Sequence, residues 1–293
     1  MGTFQRSWSL FQKSWTVVDK NRKLLIFPLI SMIAIVFLLL LIVGGTLSYL
    51  PGNPLNDILI LQDKNPDGSF SISKIGGWFL VYLLVMYVVN LCNIAFYNEI
   101  FRGLRGKNVY ILHGFRCAAQ RAVSIFFWTL LASTVGVILR FLQPRIGGIG
   151  LFLLRGSALI WVVASCFAIP AIVFDSSLIN PFRVLSRSEE TIRHTWGEAL
   201  IGFAGLHVMT WLAFFIWVAA CLFLGGLTWA MPDLQMETAW TCTALFLIFL
   251  FFAYLVSVAE KVYLASLYMY ARGSGSDYFS RKDLESAFIS PVD

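Results

Sequence analysis

The stretch FDSSLINPFRVLSRSEETIRHTW, residues 174–196, is a polar interval between two long apolar segments. Asn180 followed by Pro181 is typical of a helix start, because an Asn side chain caps free backbone N–H groups and proline has no N–H to leave unsatisfied. The residues that follow divide into an apolar face, Phe182, Leu185, Ile192 and Trp196, and a charged face, Arg183, Arg187, Glu190 and Arg193. This pattern predicts a basic amphipathic helix at the water boundary, after which the chain re-enters a membrane.

The composition excludes a soluble globular protein. Of the 293 residues 58% are hydrophobic and 13% are charged, whereas about a quarter of the residues in a soluble domain are charged. The mean hydropathy of +0.76 agrees. The net charge of +6 does not indicate a nucleic-acid partner, because the basic residues are spread over alternate loops instead of forming one patch. We interpret them as charges that set the topology and contact anionic lipid head groups.

Six apolar segments are each long enough to cross a hydrocarbon core of about 30 Å. The predicted membrane helices are 24–49, 76–97, 122–142, 151–174, 199–229 and 240–270. Residues 1–23 are predicted to form a cytoplasmic interfacial helix and residues 271–293 a cytoplasmic tail, so that 1–293 is one membrane domain. The predicted fold class is therefore all-α: a polytopic membrane protein with six transmembrane helices and cytoplasmic amphipathic interfacial helices.

A second amphipathic segment precedes the first span. Its apolar residues recur at alternating steps of four and three, which places them on one helix face: Phe4, Trp8, Phe11, Trp15 and Val18. Tryptophans on the apolar side favour a helix lying flat in the interface, and a helix packed on the protein is the alternative. The predicted interfacial anchors are Trp8, Trp15, Arg183, Arg187 and Trp196.

The distribution of basic residues predicts the orientation. Most of the 22 Lys and Arg residues fall before the first span, after the second, after the fourth or after the sixth. Those positions and the two termini lie on one side of a six-span chain, which the positive-inside rule assigns to the cytoplasm. An aromatic and basic segment precedes three pairs of spans, which indicates either three helical hairpins or a chance likeness among amphipathic helices.

Polar residues within or beside the spans are the candidates for a functional site, because such groups are costly in hydrocarbon. Asn90 and Asn93 share one helix face and either line a polar path or hydrogen-bond to a neighbouring helix. His207 is either part of a proton path or a structural histidine. Three acids near span ends, Glu99, Asp175 and Glu260, either form a ring at a cytoplasmic mouth or lie there because helices end there.

The sequence offers no catalytic, cofactor-binding or metal-binding residues. The five cysteines form no CxxC pair, and the three histidines have no ligand spacing. Nucleotide, nucleophile-elbow and zinc-protease motifs are missing. These patterns favour a protein that is not an enzyme and holds no cofactor.

The run AIPAIVFDSSLINPFRVLSRSEETIRHTWGEALIGF, residues 168–203, resembles an uncharacterised family of bacterial six-span integral membrane proteins. RSWSLFQKSW (6–15), LLIFPLI (24–30) and RAVSIFFWTLLASTVGVILRFL (121–142) look like the same family. More distantly the chain is similar to the membrane domain of glycerophosphodiester phosphodiesterases, whose catalytic domain has no counterpart in these residues. The resemblance implies a multi-pass protein of the bacterial cytoplasmic membrane and implies no reaction.

Three functional hypotheses remain at this stage. The first is a non-enzymatic scaffold or accessory subunit that binds lipid, a partner membrane protein or a second copy of itself. The second is a small transporter or channel for an amphiphile or ion, which requires a continuous polar cavity around Asn90, Asn93 and His207. The third is an intramembrane enzyme, which requires ionisable groups that converge at one depth.

Overall fold

The computed structural model describes residues 12, 14–49, 72–143, 146–147, 149–230 and 235–274, with the backbone alone at 45–49, 72–75, 149, 151, 194–209, 227–230 and 235. Within these ranges all regular structure is helical. The helices are α1 (14–20), α2 (Ile26–Tyr49), α3 (Ile72–Leu104), α4 (Ile111–Gln120), α5 (Ala122–Leu142), α6 (Ile149–Ser165), α7 (Ala168–Phe174), α8 (Pro181–Ala230) and α9 (Gln235–Ala271). The all-α prediction is confirmed.

Five stretches of helix are long and apolar enough to cross a membrane: Arg22–Gly44, Gly76–Leu104, Ala122–Leu142, Phe152–Phe174 and Met236–Ala271. The remaining predicted span, 199–229, lies within α8. The apolar part of α8 with described side chains, Thr210–Gly226, is about 25 Å long at 1.5 Å per residue and is shorter than a full crossing. The chain is thus a polytopic membrane protein by length and composition, and the count of six spans stays a prediction.

The spans present most of their apolar side chains to the outside of the molecule. Only 6% of the Arg22–Gly44 window and 33% of the Phe152–Phe174 window are buried within the protein. Leu40 and Phe37 of α2 are examples of large exposed side chains. Such surfaces are stable in hydrocarbon and unfavourable in water, because a leucine or phenylalanine side chain exposed to water is about 1.5–3 kcal/mol less stable than a fully buried one.

The fourth span is broken into α6 and α7 where Pro170 requires it. A proline ring clashes with the carbonyl four residues earlier and supplies no N–H, and the break falls at Cys166 and Phe167. The backbone N–H of Phe167 instead donates to Oγ of Ser188, which is fully buried on α8, over 3.1 Å. A side chain from the next helix therefore replaces the hydrogen bond that the break removes.

Helix α8 begins as predicted but continues further. The Asn180 side-chain oxygen accepts a 2.9 Å hydrogen bond from the N–H of Phe182, which is the predicted cap with Pro181 in the first position. The helix then runs for 50 residues to Ala230, about 75 Å. The predicted surface helix and the predicted span 199–229 thus lie in one continuous helix. The place of the water boundary along that helix stays a prediction.

The buried face of the start of α8 is also displaced from the predicted apolar face. Val184, Ser188 and Thr191 are buried, whereas Phe182 is 66% exposed. Ile192 belongs to both faces and is buried. Hydrophobicity alone could not select this face, because Ser188 and Thr191 are polar and Ser188 is required by the N–H of Phe167.

The chain divides into two compact units, residues 1–24, 100–109 and 191–293, and residues 25–99 and 110–190. In the first unit Val17 and Val18 of α1 are fully buried and Trp15 is half-buried. This packing supports the alternative of a helix packed on the protein for residues 14–20, while the predicted anchor Trp8 lies outside the described residues. In the second unit Phe27 stacks on Phe96 and Phe115, with ring centroids 5.5 Å and 6.1 Å apart.

Gly114 lets α4 approach α3 closely, and a methyl group there is expected to separate them. A Cβ at this position would lie 2.7 Å from the Ala95 carbonyl oxygen, so Gly114→Ala should lower the free energy of unfolding by about 1–3 kcal/mol. Unfolding in mixed micelles measures this change. Gly136→Ala is the matched control, since its added Cβ would lie at an ordinary 3.5 Å from the Tyr82 hydroxyl. Equal stability of the two variants would contradict the close packing.

Candidate functional site

Glu99 is a fully buried carboxylate near the end of α3. Its Oε2 accepts the backbone N–H of Tyr110 over 2.8 Å. Its Oε1 lies 2.7 Å from Nδ1 of His113 and 2.9 Å from Nδ2 of Asn98. Because a carboxylate only accepts hydrogen bonds, Nδ1 of His113 carries a hydrogen in this arrangement. The buried charge is thereby solvated by protein donors and ties α3 to the first turn of α4.

The turn between α3 and α4 places these donors. Gly106 adopts a left-handed φ of 66°, and the N–H of Lys107 bonds to the carbonyl of Arg102 over 2.9 Å, which is a glycine-terminated helix end. The Arg102 guanidinium also donates to the carbonyl of Asn108 over 3.1 Å and 3.3 Å. Backbone and side-chain hydrogen bonds therefore both stabilise the turn between α3 and α4, which fixes the position of Tyr110.

Arg121 joins the start of α5 to the end of α7. Its Nε and Nη2 donate to the carbonyls of Ile172 and Val173, each over 2.9 Å, and its Nη1 contacts Sγ of Cys117 at 2.6 Å. The last carbonyls of a helix have no partner within the helix, so the guanidinium caps this short helix. Burial raises the pKa of the Cys117 thiol although the Arg121 charge opposes the change, which keeps the thiol protonated at neutral pH.

A polar cleft of about 360 Å³ lies between the end of α3 and one face of α4. It is lined by Asn98, His113, Arg116, Cys117, Gln120 and Arg121. Cys117 and Arg121 are held by the contacts described above. Arg116 and Gln120 are exposed, lie four residues apart on the same helix face, and make no hydrogen bond or ion pair within the described part of the chain. They offer one guanidinium and one amide to a ligand.

The cleft suits an anion at the membrane boundary. Its lining residues lie between two predicted spans, and Leu112, one position before His113 on α4, is 82% exposed. The charges at the cleft are the guanidinium groups of Arg116 and Arg121 and the Glu99 carboxylate, which is fully hydrogen-bonded. A guanidinium presents donors in the geometry that matches phosphate and carboxylate oxygens. The arrangement can bind such a group and holds no nucleophile paired with a base.

The predicted intramembrane asparagines do not meet at this cleft. Nδ2 of Asn90 donates to Oγ1 of Thr129 on α5 over 2.9 Å, and Oγ1 of Thr129 donates to the Ile125 carbonyl over 2.7 Å. This chain of hydrogen bonds links two spans, as the packing alternative for Asn90 requires. Asn93 is half-buried on the same helix. His207 lies on α8, at a position where only the backbone is described.

Two of the three acids of the predicted mouth have local hydrogen-bond partners. Glu99 is enclosed by α4, whereas Oδ1 of Asp175 accepts the N–H and the hydroxyl of Ser177 within its own turn, over 3.0 Å and 2.7 Å. Glu260 lies in α9 and belongs to the other compact unit. The local contacts of Glu99 and Asp175 therefore explain those two acids without a common site. Within the described residues no group of three His, Cys, Asp or Glu could hold a metal ion.

Of the three predicted anchors within residues 174–196, the structure describes the side chains of two, Arg183 and Arg187. Arg187 pairs with Glu190 over 2.7 Å at the surface, a pair worth less than about 1 kcal/mol. Arg183 is exposed. Trp196 belongs to the region where only the backbone is described. Arg183 and Arg187 are not among the residues that line the cleft.

Sequence reasoning missed His113, Arg116, Gln120 and Arg121. The first three recur at steps of three and four along residues 113–120, which is a signal of a polar helix face. No sequence signal connects Arg121 with the carbonyls at 172 and 173, because that contact depends on how α7 packs beside α5.

Comparison with known proteins identifies a family match. Residues 73–278 match the model of a family of unknown function, DUF6159. This match covers the helices that carry the cleft and continues to the end of α9. No curated protein and no solved structure matches the chain significantly.

Proposed function

The chain belongs to the DUF6159 family, whose function is unknown, and from the geometry of its site we propose that it is a non-enzymatic membrane protein that binds anionic lipid head groups. The observation that supports this proposal is the polar cleft with the exposed Arg116 and Gln120. Its position between the end of one apolar span and the start of the next is where lipid phosphates lie. In this proposal the protein that binds the lipid acts as a scaffold or accessory subunit.

The proposal includes a topology. Six spans, with 199–229 as the fifth, place both termini and the cleft on the cytoplasmic side of the bacterial inner membrane, where basic residues meet anionic lipids. The distant similarity to the membrane domain of glycerophosphodiester phosphodiesterases is compatible with a lipid-binding role. A partner membrane protein or a second copy of the chain is the alternative occupant of the lipid-facing surfaces.

Arg116→Gln is expected to weaken binding of a soluble phosphatidylglycerol about five- to tenfold and to leave phosphatidylcholine binding unchanged. The reason is the loss of one charge, worth about 1 kcal/mol at a membrane surface. Affinity of the full chain in neutral detergent, measured at low and high salt, provides the test, because screening should reduce the difference.

Arg140→Gln is the control for this experiment. It also removes one positive charge, but from the last turn of α5, the end of that helix farther from α4. Equal losses in both variants would indicate non-specific attraction and contradict the cleft as the site. Wild-type protein that does not prefer phosphatidylglycerol over phosphatidylcholine would contradict lipid-charge recognition altogether. The transporter hypothesis would be favoured instead if liposomes containing the wild-type protein took up a solute and liposomes containing an equally stable Asn90→Ala variant did not.

A further inference from the structure

The last two helices form an antiparallel pair whose register is visible in their aromatic contacts. Phe214 of α8 lies against Phe249 of α9, with ring centroids 5.9 Å apart. Trp217 lies against Phe246 at 5.2 Å. Three residues forward on α8 therefore correspond to three residues backward on α9, as two helices joined by a short turn require.

The next contact in the same register is a pair of cysteines. Four residues beyond Trp217 is Cys221, and four residues before Phe246 is Cys242. Both residues are free, half-buried cysteines in the structure, and Cys242 contributes to the electrostatic surroundings of the Cys221 thiol. The register of the aromatic contacts thus places the two cysteines opposite each other on the facing helices.

The pair lies toward the end of the hairpin that is expected to face away from the cytoplasm. No Lys or Arg occurs between Arg193 and Lys261, and spans joined by a turn without basic residues place that turn outside. Cys242 follows Glu237 by five residues and Trp240, which is 72% exposed, by two. An acidic residue and an exposed tryptophan are typical of the membrane–water boundary. The thiols therefore lie near the compartment in which disulfides persist.

We propose that Cys221 and Cys242 are joined in the membrane by a disulfide bond that staples α8 to α9. The oxidant is an external disulfide, carried by a protein or a small molecule. One cysteine thiolate attacks a sulfur of this disulfide and forms a mixed disulfide, and the thiolate of the other cysteine then displaces the oxidant's second sulfur. The two cysteines lose two protons and two electrons, and the two sulfur atoms of the oxidant are each reduced to a thiol.

The other three cysteines are internal controls. Cys92 and Cys117 are buried in the second unit, and Cys166 lies at the break between α6 and α7. Cys117 has Arg121 at its sulfur. These three should remain thiols while the other pair is oxidised.

Methionine positions allow a direct test on the full chain. Membranes are treated with N-ethylmaleimide at once, the protein is purified without reductant, and cyanogen bromide cleaves it after Met209, Met231, Met236 and Met269. Fragment 210–231 then contains Cys221 and fragment 237–269 contains Cys242 as their sole cysteines. The expected result is one species that separates into these two fragments on reduction, with alkylated cysteines falling from five to three.

Two variants give the control and the contrary outcomes. Cys221→Ser should abolish the joined species. The double variant Cys221→Ser, Ala219→Cys keeps five cysteines but places one of them two residues away from the position opposite Cys242. Its two fragments should therefore separate without reductant. The proposal is overturned if wild-type protein carries maleimide on both cysteines, if either thiol is bonded to another chain, or if the shifted cysteine still joins the fragments.

Discussion

Replacing Arg121 with methionine is expected to lower the free energy of unfolding by about 3 kcal/mol or more. The substitution keeps much of the aliphatic volume but removes the donors that bind the carbonyls of Ile172 and Val173. A buried acceptor left without a partner costs about 1–3 kcal/mol, and hydrogen bonds to a charged donor are at the upper end of that range. Because α7 has only seven residues, two uncapped carbonyls affect most of its length.

The measurement is the unfolding of the purified chain in mixed micelles, followed by circular dichroism. Arg116→Met is the matched control, because that arginine makes no hydrogen bond within the described residues and its loss should change stability by less than about 0.5 kcal/mol. Arg121→Lys should fall between the two, since an ammonium cannot donate to both carbonyls in the fork geometry of a guanidinium. An Arg121→Met variant as stable as Arg116→Met would refute the capping role.

Replacing Glu99 with leucine is expected to cost about 2 kcal/mol or more and to loosen α4 from α3. The backbone N–H of Tyr110 and the amide of Asn98 lose their acceptor, and each donor left unsatisfied carries a desolvation cost. The loss of His113 as a partner contributes less, because its side chain is 47% exposed and can turn toward water. Removing the buried carboxylate also removes the cost of desolvating it, which limits the total.

Amide hydrogen exchange in the α3–α4 turn measures this effect more directly than global unfolding. Exchange at Tyr110 should become faster in Glu99→Leu, whereas Glu99→Gln keeps one acceptor oxygen and should give an intermediate rate. Unchanged protection at Tyr110 in the leucine variant would show that Glu99 does not hold the turn.

Local sequence rules predicted the parts of the fold that depend on neighbouring residues. The Asn180 cap is a property of a few consecutive positions, and five apolar helices of crossing length follow from hydropathy. The continuity of α8 does not follow from these rules, because the charged residues at 183–193 indicate a change of surroundings and not a helix end. Charge determines which surface faces water, and it does not end a helix.

The cleft was not predictable in the same way because long-range contacts create it. Asn90 and Glu99 were found as candidates from their polarity, and their partners Thr129 and Tyr110 lie 39 and 11 positions further along the chain. Arg121 reaches carbonyls more than 50 positions away. Periodicity identifies the face that a helix turns inward, but it contains no information on which other helix lies there.

The two ends of α7 are completed at different times during synthesis. Arg121 precedes α7 in the chain, so the donor for the carbonyls at 172 and 173 already exists when this helix forms. Ser188 follows it, so the hydroxyl that accepts from the amide of Phe167 exists only once the first turns of α8 have been made. The broken fourth span therefore gains this hydrogen bond only after the beginning of the next helix has been synthesised.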